Sequence, residues 1–397
     1  MQRRQFMQLA GGGTLAAAVG VSAGLSGCSS ALPPDAVAAW NGPAATEKDP
    51  RRFALSYALL APNPHNRQPW IADLREPDVI TLLCDRERLL PQTDPFGRQI
   101  LIGHGAFIEL LVIALAEQGI GADVQLWPDG ELPPALKDWA QRPVARVRLL
   151  KSDGAKPKPD PLFAQILRRR TPKIDFDATR PVDAEKLAYL FTAATGQNVK
   201  AAGTVDAARL DALRSLCWQS AKVELLTPRT VMESIQLVRV GPQEILQHRD
   251  GISINSAFVR ALDSVGLFDR SSPPAESSAA HKNMMGRFEG HSHSAMGFVW
   301  LSTNTNRRSD TIAAGRAYVR MQLLATQMGL GVHPMSQALQ EFPEMQSFYT
   351  QAHRLLIDKP APKGPEDQVI QMLCRLGYTA NPVEATPRRP LRDLLRT

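Results

Sequence analysis

Cysteine, aromatic side chains and clustered charge are all scarce in this chain, and each shortage excludes something. Cys28, Cys84, Cys217 and Cys374 are the only cysteines in 397 residues, with no CxxC pair and no zinc-ligand spacing. Neither a disulfide framework nor a metal cluster is expected. His291 and His293 stand two apart, but no third ligand has suitable spacing, so no metal is assigned. Aromatic residues make up 6% and Lys and Arg are scattered, which speaks against nucleic acid as a partner. No nucleophile–base pair is legible. What the chain does have is globular composition, 44% hydrophobic and 21% charged, with length for two core-forming units. A formal charge of +7 suits an anionic ligand or cofactor.

The first residues read as an address. Arg3-Arg4 is followed by Gln5-Phe6-Met7, then by the Gly- and Ala-rich apolar run Leu9–Gly24, then by Leu25-Ser26-Gly27-Cys28. The run is too short and too weakly apolar for a stable membrane-spanning helix. The pattern resembles a twin-arginine signal peptide over 1–28 ending in a lipobox, with Cys28 lipidated. The alternative is a chance cysteine after small residues. Twin-arginine export moves folded proteins, which suits a cofactor loaded before export. The expected location is periplasmic, lipid-anchored to a membrane, with residues 29–50 as a tether.

An internal repeat organises the rest. Gly105, Gly119 and Gly121 frame a helical run that recurs at a constant spacing of 210 residues, at Gly315, Gly329 and Gly331. Leu55-Ser-Tyr-Ala-Leu-Leu-Ala61 with Asn66 pairs more weakly with Leu187-Ala-Tyr-Leu-Phe-Thr-Ala193 with Asn198, 132 residues on. The two spacings differ by 78, so the second half carries an insertion of that size. It falls around 227–292, either a lid over a site or a surface excursion. The halves are expected at 51–151 and 163–397, joined by a Pro-rich linker at 152–162. Strands are expected at Val79–Cys84, Val144–Leu150, Val223–Leu226, Phe298–Ser302 and Val369–Leu376. Helices are expected at 51–60, 97–119, 183–195, 206–220 and 308–328. The class is α+β.

One stretch names a chemistry. Ala61-Pro-Asn-Pro-His-Asn-Arg-Gln-Pro-Trp70 is braced by three prolines, which fix φ and push Ala61, Asn63 and Gln68 towards extended geometry. It displays Asn63, His65, Asn66 and Gln68, uncharged groups suited to the edge of a flat heteroaromatic ring. It also reads as an ordinary helix-ending turn.

Asn63–Trp70 resembles the flavin-ring loop of the nitroreductase superfamily, roughly P-S-x-x-N-x-Q-P-W. Ile166-Leu-Arg-Arg-Arg-Thr-Pro-Lys-Ile-Asp-Phe176 resembles that family's phosphate motif, R-R-S-x-R followed by an aromatic. Ala313 through Gly331 resembles its central helix, and Leu376-Gly-Tyr378 followed by Pro387–Leu391 its C-terminal strand and basic tail. In the ordinary family the phosphate motif precedes the ring loop in one short subunit, and two subunits build two FMN sites. Here the ring loop lies in the first half and the phosphate motif in the second. The first half has only the poor match Asp49-Pro-Arg-Arg-Phe53, and Ala193–Asn198 lacks Gln-Pro-Trp. Each half has kept what the other lost, as in the Acg-type branch: a nitroreductase-like pseudo-dimer of two fused halves, each a small, mainly antiparallel sheet flanked by helices.

The resemblance, over about residues 50–395, implies FMN as cofactor in a single site. It implies Arg169, Arg170, Thr171 and Lys173 at the phosphate, although Arg168–Arg170 also reads as a solvated basic face. Lys173 departs from the family's arginine and gives a point charge. Arg388 and Arg389 would close that pocket. Asn66 and Gln68 would bond the pyrimidine edge, Asn63 and His65 would flank the ring or ribityl chain, and Trp70 would anchor the loop in the core. Pro334, Met335 and Ser336 would pass the redox-active edge, where a backbone N–H stabilises a reduced ring. No residue is assigned a catalytic role, because the chemistry is the flavin's. The implied function is an FMN-dependent oxidoreductase reducing a nitroaromatic, quinone or similar acceptor, its electron donor unknown. The chain is expected to be a monomer that meets a membrane only through its anchor. The alternatives are a flavin-storage, sequestering or sensing protein with a sealed lid, and a structural surface lipoprotein.

Overall fold

The computed structural model describes residues 31–139, 141–150, 156–194 and 198–396. The leader with Cys28, the first four residues of the linker and most of the loop after Ala194 lie outside these residues. Each half repeats one order of elements. In the first, helix α2 (Pro50–Ala58) leads to β1 (Trp70–Asp73), β2 (Val79–Cys84), the long helix α3 (Arg98–Glu117), β3 (Gly121–Leu126) and β4 (Pro143–Leu150). In the second, α4 (Ala184–Thr192) leads to β5 (Val199–Thr204), β8 (Gly297–Thr303), the long helix α10 (Arg308–Gln327), β9 (Gly331–Pro334) and β10 (Val369–Gly377). The sheets run β1-β2-β4-β3 and β5-β8-β10-β9, the same order in each half. Every pairing in both is antiparallel.

The local causes are ordinary. Helix α2 has Pro50 at its first turn and Asp49 as N-cap, its carboxylate accepting from Arg51 N at 2.9 Å. Helix α3 is apolar and buried almost all round, as the central helix of a core must be. It is also long and apolar enough to cross a membrane, the one such helix among the described residues, but most of its surface is buried in the protein. All residues of β8 and β10 are buried, so these strands read as mainly apolar runs rather than alternating ones, with Gln371 and Arg375 as buried polar members of β10.

The 210-residue repeat has a direct structural meaning. A Cβ on Gly105 would lie 2.1 Å from Ile312 O and 3.0 Å from Gly315 Cα; one on Gly315 would lie 2.1 Å from Ile102 O and 3.0 Å from Gly105 Cα. The two repeat-related glycines therefore touch each other. That reciprocal self-contact is what an isologous two-fold interface has at its axis. One hydrophobic core cluster runs through both halves, from Phe107 and Leu111 to Leu301, Val319 and Cys374, and a second, smaller one lies in the second half around Leu213, Phe298 and Leu373.

Three expectations change. Val223–Leu226 is not a strand: it is the last turn of helix α5 (Ala207–Leu226). Its buried residues recur at Leu210, Leu213, Leu216, Cys217, Ala221, Glu224 and Leu225, and that helical period overrides the local preference of a short apolar run. The insertion is longer than expected. Five residues separate β1 from β2, whereas residues 205–296 separate β5 from β8. Beyond α5 it holds α6 (Pro228–Gln236), the parallel strands β6 (Val238–Val240) and β7 (Ile252–Ile254), α7 (Gly241–His248), α8 (Ala257–Ser264) and α9 (Ala279–His293). The described part of the tether is not free chain either. Helix α1 (Pro34–Val37) and a 3-10 turn, Ala38–Asn41, dock against the tail: Arg388 N donates to Ala36 O at 2.9 Å, and Trp40 Nε1 donates to Thr386 O at 2.8 Å.

Candidate functional site

A cavity of about 320 Å³ lies where the two halves and the insertion meet. The ring-loop residues Asn63, His65 and Asn66 form one wall; Arg169, Arg170, Thr171, Lys173 and Arg388 form another; Pro334, Met335 and Ser336 lie on a third. Gln68 and Arg389 do not line it, contrary to the sequence-based expectation.

Backbone geometry explains Gln68. His65, Asn66 and Gln68 have φ of 48°, 51° and 50°, left-handed values costly for residues with a Cβ. Asn63 is extended as its following proline requires, but Gln68, also before a proline, is not. Hydrogen bonds hold it there. Gln68 N donates to Asn63 Oδ1 at 2.7 Å, Gln68 Nε2 donates to Arg249 O at 2.8 Å, and Gln68 Oε1 accepts from Arg389 N at 2.8 Å. The Gln68 amide is thus spent on pinning the loop to the insertion and the tail, and Arg389 turns outward with it. Asn66 has a similar structural duty: its Nδ2 donates to Pro387 O at 3.0 Å, and its Oδ1 accepts from Arg388 Nη1 at 2.5 Å. Trp70 is fully buried against Phe107, with ring centroids 4.9 Å apart.

The cationic wall is unusual in its lack of counter-charge. Arg169 and Arg388 are buried. Their bonds go to neutral acceptors: Arg169 to Leu60 O at 2.8 Å, Gln322 Oε1 at 3.0 Å and Thr171 Oγ1 at 3.2 Å, Arg388 to Thr386 Oγ1 at 2.7 Å and Asn66. The Nε of each has no partner. Among the described residues no carboxylate forms an ion pair with Arg169, Arg170, Lys173 or Arg388. Burial pulls Arg169 down to about 10, with Arg170 adding to the effect against an opposing influence of Tyr318. Burial likewise lowers Arg388, as do Arg169 and Arg170. Lys173 falls to about 8, through desolvation first and then the Arg287 and Arg388 charges. Its side chain faces open cavity space rather than packed protein. Uncompensated cations gathered in one wall are costly unless a multiply charged anion joins them.

Several wall residues had weak or no sequence signals. Trp40, buried, stacks under Arg170 with the guanidinium 4.2 Å from its ring centre and lies 5.2 Å from that of Arg388. A lone tryptophan in an Ala- and Pro-rich stretch was the available clue. His291 and His333 lie edge to face at 5.4 Å, and Arg375 Nε donates to His333 Nδ1 at 2.9 Å. Burial and the surrounding cations hold His291 down at about 3 and His333 well below its ordinary value, so both rings are neutral. Glu224, buried, accepts from Gln340 Nε2 at 2.9 Å; burial raises it to about 7. In the Pro334–Ser336 turn the Met335 N–H donates to Leu373 O at 2.9 Å.

The insertion acts as a cover fastened to the first half. Asp250, buried, accepts from Arg67 at 3.2 Å, Arg88 at 2.8 Å and Arg239 at 3.0 Å. Glu233 accepts from Gln92 N and Thr93 N, each at 2.9 Å. Ser234 Oγ lies 2.8 Å from His65 Nε2. Burial lowers His65 to about 4, helped by Lys173 and Arg67, so its neutral ring bonds the serine.

No family model matches the chain. Over 353 residues it is 26% identical to "Putative NAD(P)H nitroreductase acg" of Mycobacterium tuberculosis, covering 86% of this chain and 94% of that one. A second NAD(P)H nitroreductase so described in the same organism is 26% identical over 355 residues, covering 87% and 90%. Among solved structures, the FMN- and NADPH-dependent nitroreductase NfnB from sphigopyxis aligns at 14% identity and a TM-score of 0.37, over 59% of this chain and 98% of that one. A nitroreductase-like protein from Bacillus cereus gives 14%, 0.33, 60% and 96%. These structural scores are low; the two-half α+β fold rests on the repeated sheet order and the glycine crossing. Through most of both lengths the chain is similar to proteins described as NAD(P)H nitroreductases. The particular relatives are the Acg-type proteins, matched through both halves.

Proposed function

We propose that the chain is an FMN-binding, nitroreductase-like oxidoreductase with one flavin site, exported by the twin-arginine route and lipid-anchored through Cys28. The observation that carries the flavin reading is the pairing of the two walls. Buried Arg169 and Arg388, without carboxylate partners, face the same cavity as a strained loop held rigid by amide hydrogen bonds. A phosphate dianion fits the first wall: the two orphaned Nε groups, the Thr171 hydroxyl and Lys173 offer donors and charge. A flat ring fits beside Asn63, His65 and Asn66.

Bound FMN would supply reversible hydride and electron transfer. The chain's own residues would position that group, exclude water under the insertion and present Glu224 as a proton source near neutral pH. The acceptor would be a nitroaromatic, quinone or similar small molecule. The names of the relatives point to NAD(P)H as reductant; outside the cytoplasm a quinol or protein donor is the alternative. The fastened cover favours a second reading, a flavin-binding protein without turnover.

Mixing flavin-loaded protein with NADPH, and separately with a reduced quinone analogue, decides between them. Bleaching at the flavin bands and recovery on adding a nitroaromatic or quinone supports the oxidoreductase. A yellow protein inert to both donors supports the binder.

A further inference from the structure

Phe258, Val265 and Leu267 are 70%, 66% and 65% exposed, the three most exposed large apolar side chains of the described residues. They fall within ten residues of each other. Phe258 and Val265 lie seven apart at α8 and so share a face. Leu267 is held by the helix C-cap: Gly266, φ +69°, gives Gly266 N to Asp263 O at 3.0 Å and Leu267 N to Leu262 O at 2.8 Å, the paired bonds of a Schellman turn. The apolar ridge is therefore built into the fold. Helix α8 has no fully buried residue, and among the described residues these three side chains stay largely uncovered.

Where the N-terminal segment leaves the described structure identifies the partner. Asn255, immediately before the α8 N-cap Ser256, donates through Nδ2 to Ala31 O at 2.6 Å. Cys28 lies three residues upstream of Ala31, and Phe258 three residues downstream of Asn255. At ~3.5 Å per residue at most, the three-residue connection cannot carry Cys28 more than about 10 Å from Ala31, so an anchor there would tether the chain beside the start of α8. Arg260 and Asp263 balance each other in sign on this helix, so the face offers apolar area rather than a basic patch.

We propose that the Phe258–Val265–Leu267 face is a membrane-docking surface that lies against the bilayer holding the chain. The inference rests on lipidation at Cys28. The anchor supplies local concentration, and the ridge, burying its side chains at the headgroup boundary, fixes how the molecule sits. The preceding strand β7 carries Ile252 and Ile254 in the cavity wall, so docking holds the covering insertion at the lipid surface.

The test uses lipid-bearing full chain on phosphatidylethanolamine–phosphatidylglycerol vesicles. A nitroxide is placed at Val265→Cys and, as control, at Tyr189→Cys, a 56% exposed position on α4. Cys84, Cys217 and Cys374 are buried and do not compete for label. The expected result is several-fold greater collision with oxygen relative to a water-soluble nickel chelate at 265 than at 189. Equal ratios at the two sites, with the protein retained on the vesicles, overturn the docking surface. Equal shielding of 265 in the Cys28→Ser chain without vesicles also overturns it, showing a protein segment or second copy as the occupant. A chain not retained on vesicles at all overturns the anchor and this inference together, and leaves the flavin reading untouched.

Discussion

At the scale of single residues, the site is a balance between charge and strain. Arg169 has no carboxylate partner and an orphaned Nε, so its charge is uncompensated and that one donor remains for an anion. Arg169→Ala should weaken FMN binding by about 2–5 kcal/mol, at least tens of fold in Kd, in a fluorescence titration; unchanged affinity would contradict the phosphate assignment. His65 links the loop to the cover and carries a pH dependence of definite sign. The unfolded chain protonates this imidazole below about 6.5, whereas the folded protein resists until about 4. The unfolded state then binds more protons in that window, so stability falls as pH drops from 6.5 to 4. His65→Asn, which tolerates the same left-handed φ, should lose about 1–2 kcal/mol less across that window, the ring's partial solvent contact trimming the effect. Urea midpoints at several pH values measure it. The identities of Arg169, Thr171, Lys173, Asn63, His65 and Asn66 as cavity residues were legible because charge runs and proline-braced amides stand out in sequence. Gln68 and Arg389 do not line the cavity: the left-handed φ of Gln68 sets its side-chain direction in a way residue type does not reveal, and the Arg389 backbone is paired with it. Trp40 and His333 were missed because each reaches the cavity only through tertiary packing.

At the scale of elements, two features govern the molecule: the crossing of α3 and α10, and the fastening of the insertion. The crossing leaves no room for a methyl group, since either Cβ would meet a backbone carbonyl at 2.1 Å, and backbone cannot yield as a side-chain tip can. Gly105→Ala should cost about 3 kcal/mol or more, the upper end of overpacking effects, read as a lower urea midpoint; a neutral result would mean the helices cross elsewhere. The cover depends on Asp250, which three arginines share. Asp250→Ala leaves buried Arg67 and Arg239 without that partner, a loss on the scale of 3–5 kcal/mol for a broken buried network. It should also speed FMN release several-fold in stopped-flow exchange. Long elements were legible: α3, α10, β2, β8 and β10 fall within a residue or two of their expected bounds. The short strands β1, β3, β5 and β9 were not, since four to six residues carry little pattern of their own. Helix α5 extended past its expected end because a helical burial period outlasted a local apolar run.

At the scale of the whole molecule, the claim is one pseudo-dimer with one site. Its two-fold was legible because Gly105 and Gly315 recur at fixed spacing, and those glycines proved to touch. The single site follows from asymmetry between the halves. Arg169 comes from the second half and Asn63–Asn66 from the first. At the counterpart of Asn66, Asn198 keeps a left-handed φ of 69° but gives its side-chain amide to Asp310, so it is not free for a second ring. The size of the insertion was underestimated because α5 carries no compositional mark of being extra. The most direct measurement is flavin stoichiometry: saturate the purified full chain with FMN, remove the excess, and compare the visible flavin bands with protein concentration. One FMN per chain is the expected result. Two per chain would contradict the asymmetry between the halves, and none would contradict the site itself.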